Sequence, residues 1–373
     1  MDPRLAARFP LIPRPKPPGR PLAERLEALR IHPAPPDTTH YDRVARASEV
    51  LNRAALIASD VGLSDLAKNL CERHYDIFAQ ASELGPDIAT LTLQPVLNIP
   101  RQHIRDGRGE LAYEMLLGLY RAAQQRSVAE LGALRIDLFP VTQGEEQHRT
   151  ICTQLWAAVI SDGARALARA GRWVEAATAM TAQHGVGERL LDGRQVAVLS
   201  LLKQRRLTDA RALLDASSTD TVWESAVAAI LRAHCSAQPS ERGCQATAEA
   251  VRQAYTMLAD PSSATPVVFR ARLGLAALDL AEHRTTEHAP VLQTALVDAA
   301  RGDAYAAAEV LRHPLISALP FNMTQHLEQT VADAGLQRRC FEVEQGRAMK
   351  VCVAAAEAEL RTLLVQRISA APL

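Results

Sequence analysis

The sequence predicts an all-α protein of stacked helical hairpins, and three observations carry that prediction. Seven times a glycine or arginine turn is followed five residues later by a small residue and eight later by an apolar or small one. The copies are Gly62/Ala67/Leu70, Gly107/Ala112/Met115, Gly171/Ala176/Ala179, Arg205/Ala210/Leu213, Gly243/Ala248/Val251, Gly302/Ala307/Val310 and Gly335/Cys340/Val343. Hydrophobic residues make up 48% of the chain but aromatics only 4%, so alanine and leucine, strong helix formers, must fill the core. Between the turns, apolar residues recur at the helical period rather than alternating. Stacked hairpins present a surface rather than enclose a reaction centre.

Residues 1–40 stand apart. Pro10, Pro13, Pro15, Pro17, Pro18, Pro21, Pro33, Pro35 and Pro36 interrupt the basic residues Arg14, Lys16 and Arg20. Prolines this dense exclude a long helix and favour extended geometry, with at most a short helix from about Leu22 to Arg30. Such an arm is a flexible lead-in, a ligand for another protein's aromatic groove, or a strap along its own helices.

From Tyr41 the helical period takes over. Val44, Ala47, Leu51, Ala54 and Ala58 fall on one face, and the break at Asp60-Val61-Gly62 leads into Leu63, Leu66, Ala67, Leu70 and Ile77. Glycine supplies the left-handed conformation that ends the first helix; the small residue five positions later lets the two helices approach. His74 falls on the apolar face and is expected to be a hydrogen-bonded core histidine. The helical-repeat domain is expected to span 41–365, with a tail at 366–373.

The clearest copies lie in mid-chain. Leu155, Ala158, Val159 and Ala166 lead to Gly171, followed by Trp173, Ala176, Ala177 and Met180; Arg205 lies 34 residues after Gly171, and Gly243 another 38 on. A turn glycine, an aromatic two later, an alanine five later and a period near 34 resemble the tetratricopeptide repeat (TPR). The resemblance covers 41–365 in rhythm but only Gly171-Arg172-Trp173-Val174-Glu175-Ala176 in near-consensus form. Elsewhere Ser64, Gly109, Leu207, Gln245, Ala304 and Gln337 stand where the aromatic would be. It implies a TPR-like α-solenoid, a right-handed superhelix of antiparallel helix pairs, whose concave groove holds a peptide or partner segment. Regulators with such arrays often carry a DNA-binding head, which the proline-rich residues 1–40 do not supply.

Function in such an array is expected where the rhythm fails, because stacking needs only the regular positions. In 94–107, Pro95 and Pro100 are expected to kink or stop a helix and to gather Gln94, Asn98, Arg101, His103 and Arg105. Asparagine occurs only at Asn52, Asn69, Asn98 and Asn322, and its amide can grip a peptide backbone through paired donor and acceptor. TPR grooves commonly use asparagine, arginine and lysine on first helices, so the resemblance assigns Asn52, Arg53, Asn98 and Arg101 to the ligand. A second departure, 138–149, reads as a polar loop able to bring Glu145, His148 and Arg149 over the groove. A third, His184-Gly185-Val186-Gly187, reads as a flexible turn, since it fits neither a dinucleotide fingerprint nor a P-loop.

The leading expectation is therefore a protein- or peptide-binding scaffold or regulator without cofactor, metal or catalytic residues. One alternative is an enzyme with a pocket near 94–106 and 143–149, using His103, Glu145 and His148 as acid or base and Arg101 or Arg105 as an anion clamp. Another is a homodimer joined through an outer face such as Val351 to Leu364. Lys+Arg 42 balance Asp+Glu 42, which argues against nucleic acid; the proline-broken amino terminus and the lack of a long apolar run argue against secretion and membrane insertion. Cys71, Cys152, Cys235, Cys244, Cys340 and Cys352 form no CxxC pair and read as reduced core thiols of a cytoplasmic protein. His283 and His288, five apart, make a poor zinc pair.

Overall fold

The computed structural model describes residues 9–30, 35, 37–81, 84–236, 241–260, 263–282, 289–317 and 319–369; His283 and His288 lie outside them. Among the described residues the named regular elements are helices apart from one β-hairpin, and the chain divides into two compact units. Unit 1 comprises Met1–Pro21 with Leu167–Ala334, and unit 2 comprises Leu22–Ala166 with Gly335–Leu373.

Unit 2 opens with α1 (Leu22–Glu27), the short helix expected there, which buries Leu22 and Leu26. Helix α2 (His40–Val61) starts where the Thr39 hydroxyl accepts from the Asp42 amide and ends at Gly62, whose φ of 92° is left-handed. There the Leu63 amide reaches back to the Ala58 carbonyl at 2.9 Å, so the turn satisfies a carbonyl the helix end would strand. Helix α3 (Ser64–Ala79) follows and packs on α2. After α4 (Pro86–Ala89) and a 3₁₀ turn, α5 (Leu93–Arg105) packs on α3, and α6 (Gly109–Gln124) on α5. Of the two outcomes expected of the prolines, kinking or stopping a helix, the stop does not occur: α5 runs through both. Pro95 sits in the first turn of α5; Pro100 removes one interior bond without ending the helix.

The expected 138–149 loop is different in kind. Val128–Leu131 (β1) and Leu134–Asp137 (β2) form an antiparallel hairpin around Gly132, which has φ 67°. Val141 and Thr142 are buried, and α7 (Glu145–Ala158) already begins at Glu145. A five-residue π-turn, Val159–Gly163, then leads into α8 (Ala164–Arg169), within which the boundary between the units falls.

In unit 1, α9 (Trp173–Ala182), α10 (Asp192–Lys203), α11 (Leu207–Asp215), α12 (Val222–His234), α13 (Glu241–Ala259), α14 (Val267–Glu282) and α15 (Ala289–Ala300) each pack on the next. Helices α16 (Ala304–Leu311), α17 (Pro314–Ser317) and α18 (Phe321–Asp333) complete it. Of the proline-rich arm, described residues 9–21 belong to this unit, with Phe9 and Leu11 buried. Leu11 holds φ 57°, a conformation costing a branched residue about 1–2 kcal/mol, comparable to what burying its side chain returns.

The last helix, α19 (Val343–Ser369), belongs to unit 2, where it packs along α2. The seventh sequence copy is thus not a repeat: Gly335 turns the chain into an extended segment with Cys340 exposed. There the Gln337 and Arg339 amides donate to the Asp60 and Val61 carbonyls at the end of α2. Gly243 lies inside α13 rather than at a turn, and α19 runs into the expected tail. Met349, Val353, Ala356, Leu360 and Leu363 of α19 are buried in the core of unit 2, while Val351, Ala354, Ala355 and Ala358 on the same helix are exposed.

The hairpin rule holds in four copies. Gly62, Gly107, Gly171 and Arg205 have φ of 92°, 78°, 74° and 60°, and Arg108, Arg172 and Arg206 repeat the back-reaching amide bond of Leu63. The small residues Ala67, Ala112, Ala176 and Ala210 are fully buried. Ala176→Leu should therefore overfill the seam beside α9 and lower the denaturant midpoint by the equivalent of about 1–3 kcal/mol, whereas Ala177→Leu, one residue on, should not.

His74 is buried as expected, but its Nε2 has no hydrogen-bond partner among the described residues, and the ring lies 5.5 Å from that of Phe78. Burial pushes its pKa down to about 3. An unfolded imidazole takes up a proton below about 6.5 that the folded one refuses, so stability should fall by about 1.4 kcal/mol per pH unit as pH drops from 6.5 toward 3. Unfolding at pH 7 and 5.5 checks this; His74→Leu should remove that part of the slope.

Candidate functional site

Four of the residues singled out in the sequence meet on unit 2. Asn52 and Gln94 project from α2 and α5, and the Asn52 Nδ2 donates to the Gln94 Oε1 at 2.6 Å. One turn along α5, the Asn98 Nδ2 donates to the Asn52 Oδ1 at 3.0 Å. The next turn brings Arg101, whose Nη1 donates to the Asn98 Oδ1 at 3.2 Å and whose Nε donates to the Asp162 Oδ2 at 2.9 Å. The spacing 94, 98, 101 places all three α5 side chains on one face.

Asp162 was not legible as part of this set. It is buried and comes from the π-turn between α7 and α8, where a helix of ordinary pitch would send it elsewhere. Gly163 beside it has no spare room: an added Cβ would sit 3.0 Å from the Tyr113 ring. The only sequence signal was a glycine beside an aspartate inside an otherwise apolar helical stretch.

Arg105 serves a different purpose from the one expected. Its Nη1 donates to the Ser59 hydroxyl at 2.7 Å and approaches the Asp60 Oδ1 at 3.3 Å. Asp60 also holds Arg25, at 2.6 Å, and Ser59 donates to Gln102 at 2.5 Å. His103 is buried, and burial together with the charges of Arg108 and Lys68 lowers its pKa. Arg53 pairs with Glu49 at 2.5 Å across one turn of α2.

Glu145 and His148 are brought together by Arg126, a residue outside the expected site set. Arg126 pairs with Glu145 and lies 3.3 Å from the His148 Nδ1, while the His148 Nε2 donates to the Ala123 carbonyl at 3.0 Å. Arg126 holds Glu145 below the usual carboxylate range. Arg149 is exposed.

Two surface clefts lie along this side of unit 2. One, of about 730 Å³, is bordered by Tyr41, Glu49, Leu91 and Gln94; the other, of about 870 Å³, by Tyr41, Asp87, Val141, Glu145 and Ile151. Tyr41 is common to both, and His103 and His148 line neither. Of the acid and base groups considered for an enzyme, His103 is buried in α5, while Glu145 and His148 are engaged by Arg126.

No described helix is long and apolar enough to cross a membrane. No family model, no curated protein and no solved structure matches the chain.

Proposed function

We propose that the chain is a TPR-like scaffold or regulatory protein that binds an extended peptide segment along the Asn52–Gln94–Asn98 face of unit 2. The observation that carries this reading is the amide ladder itself. Three carboxamides from two helices stand in one line, with Gln94 bordering a cleft; beyond the bonds of the ladder Asn52 and Asn98 each have one further N–H and one further lone pair, and Gln94 has two N–H and one lone pair. That is the complement of a peptide backbone, which offers one donor and one acceptor per residue. Asp162 neutralises Arg101 and Asp60 engages Arg105, so the ligand feature the site favours is the backbone rather than a terminal carboxylate. Tyr41 and Leu91 supply apolar contact for its side chains. Six unpaired cysteines suit a reducing compartment such as the cytoplasm.

Selection from a displayed library of linear peptides tests the proposal. Peptides enriched on the wild-type chain should bind at least tenfold more weakly to Asn52→Ala/Asn98→Ala, with its thermal midpoint nearly unchanged because both side chains are only partly buried. Equal binding by the double variant, or no enrichment, would remove the assignment.

A further inference from the structure

Unit 1 already holds an extended, proline-rich, basic segment: residues 9–20 of its own arm. Gly19 is held at Asp303 and Ala304. The Gly19 amide donates to the Asp303 Oδ2 at 3.0 Å, and the Gly19 carbonyl accepts from the Ala304 amide at 3.0 Å. The other Asp303 oxygen, Oδ1, caps α16 by accepting from the Tyr305 and Ala306 amides, each at 2.9 Å. The arm thus makes the paired backbone bonds a bound peptide would make.

Side chains add selectivity. The Lys16 ammonium stands 3.0 Å from the centre of the Tyr305 ring, and an Arg14 guanidinium nitrogen lies 4.0 Å from Asp192 at the start of α10. Phe9 and Leu11 are buried. Position 19 admits only glycine, because an added Cβ would lie 2.8 Å from the Ala304 nitrogen and 2.9 Å from the Tyr305 nitrogen. Leu11 adopts its left-handed backbone where its side chain is buried, and such strain persists where surrounding contacts determine it. These are the features of a receptor and its ligand, joined in one chain.

We propose that the Asp192, Asp303 and Tyr305 face of unit 1 is a second peptide site, distinct from the amide ladder, and that the arm occupies it in cis. Its external ligand is a proline-rich, cationic segment of another protein with a glycine at the tight position, which competes with the arm. Tethering gives the arm an effective concentration on the order of millimolar, so an external segment binds weakly until the arm is released.

The test uses full-length chains and a fluorescent peptide with the sequence of residues 9–21. Gly19→Val disables the arm but leaves the receiving face intact. This variant should bind the peptide at least tenfold more tightly than the wild-type chain does, and a peptide carrying the same Gly19→Val change should not bind. Adding Asp303→Ala to the variant chain should abolish capture. A Gly19→Val chain that is folded by circular dichroism yet no better than wild type overturns the proposal. A Gly19→Val chain that fails to fold, with Arg14→Ala/Lys16→Ala folded and no tighter for the peptide, overturns it also by making the arm a structural strap. Light scattering that shows the released variant pairing into dimers would assign the face to a second copy instead.

Discussion

Asp60→Ala should cost unit 2 about 3–5 kcal/mol, a large share of the roughly 5–15 kcal/mol that stabilises a typical domain. Asp60 sits in the last turn of α2, where the helix dipole disfavours a carboxylate. It is held there by Arg25 on one oxygen and Arg105 on the other, with the Arg25 and Asp60 side chains only 9% and 6% exposed. Removing the carboxylate takes from a buried guanidinium the acceptor 2.6 Å away. The cost is the loss of that acceptor in a place with little water, rather than the net worth of the pair. Arg25→Met/Asp60→Ala should therefore recover much of the loss, because a buried ion pair replaced by apolar side chains is often close to neutral. Guanidinium unfolding of the two single variants and the double variant, read as a cycle, checks this. A double variant as unstable as the sum of the singles would contradict it.

How much of this was legible in the sequence follows from the range over which each feature is determined. The turns at Gly62, Gly107, Gly171 and Arg205 were readable because a helix end, its left-handed residue and the buried alanine five positions on are all local. The α2–α3 hairpin and the short helix after the prolines were readable for the same reason. The return of α19 to α2 was not, because hydrophobic periodicity shows that a helix has a face but not what covers it. The β-hairpin at 128–137 hid inside an interval read as helical, since its strands are four residues each and only Gly132 marks the loop.

The site divides along the same line. Asn52, Gln94 and Asn98 were identified from residue type and turned out to be bonded to one another, because i, i+4 spacing on α5 is a local fact. The roles of the arginines were not readable. Arg101 and Arg105 looked alike as free cations, but each meets a buried carboxylate supplied by a different element: Asp162 from the π-turn and Asp60 from the end of α2. Ion-pair partners at sequence separations of 61 and 45 leave no trace in composition or spacing. With both arginines engaged by carboxylates, the amides of Asn52, Gln94 and Asn98 are the neutral polar groups of this face.

Gly193→Ala should be as damaging as the loss of Asp60, although it adds a single methyl group. Gly193 lies in the first turn of α10, and a Cβ there would stand 2.1 Å from the Gly185 carbonyl oxygen and 2.8 Å from its carbon. No rotamer change relieves a clash with backbone, so the turn at 184–187 would have to move. That turn is tied down: the Gly185 amide donates to the Met180 carbonyl at 2.8 Å, and Arg194, the neighbour of Gly193, donates to the Gly187 carbonyl at 3.0 Å. The same arginine also holds the end of α11 through the Leu213 and Ala216 carbonyls. Displacing the start of α10 loosens both attachments, so the loss should exceed the usual 1–3 kcal/mol of an overfilled site. Gly187 is the control, for it has no neighbour that a Cβ would meet and no left-handed backbone. Gly187→Ala should leave the chain unchanged or stabilise it by up to about 1 kcal/mol through the unfolded state. Thermal unfolding of the two variants side by side should separate them by several degrees in opposite directions; equal midpoints would mean that the Gly185–Gly193 approach is not a fixed feature of the fold.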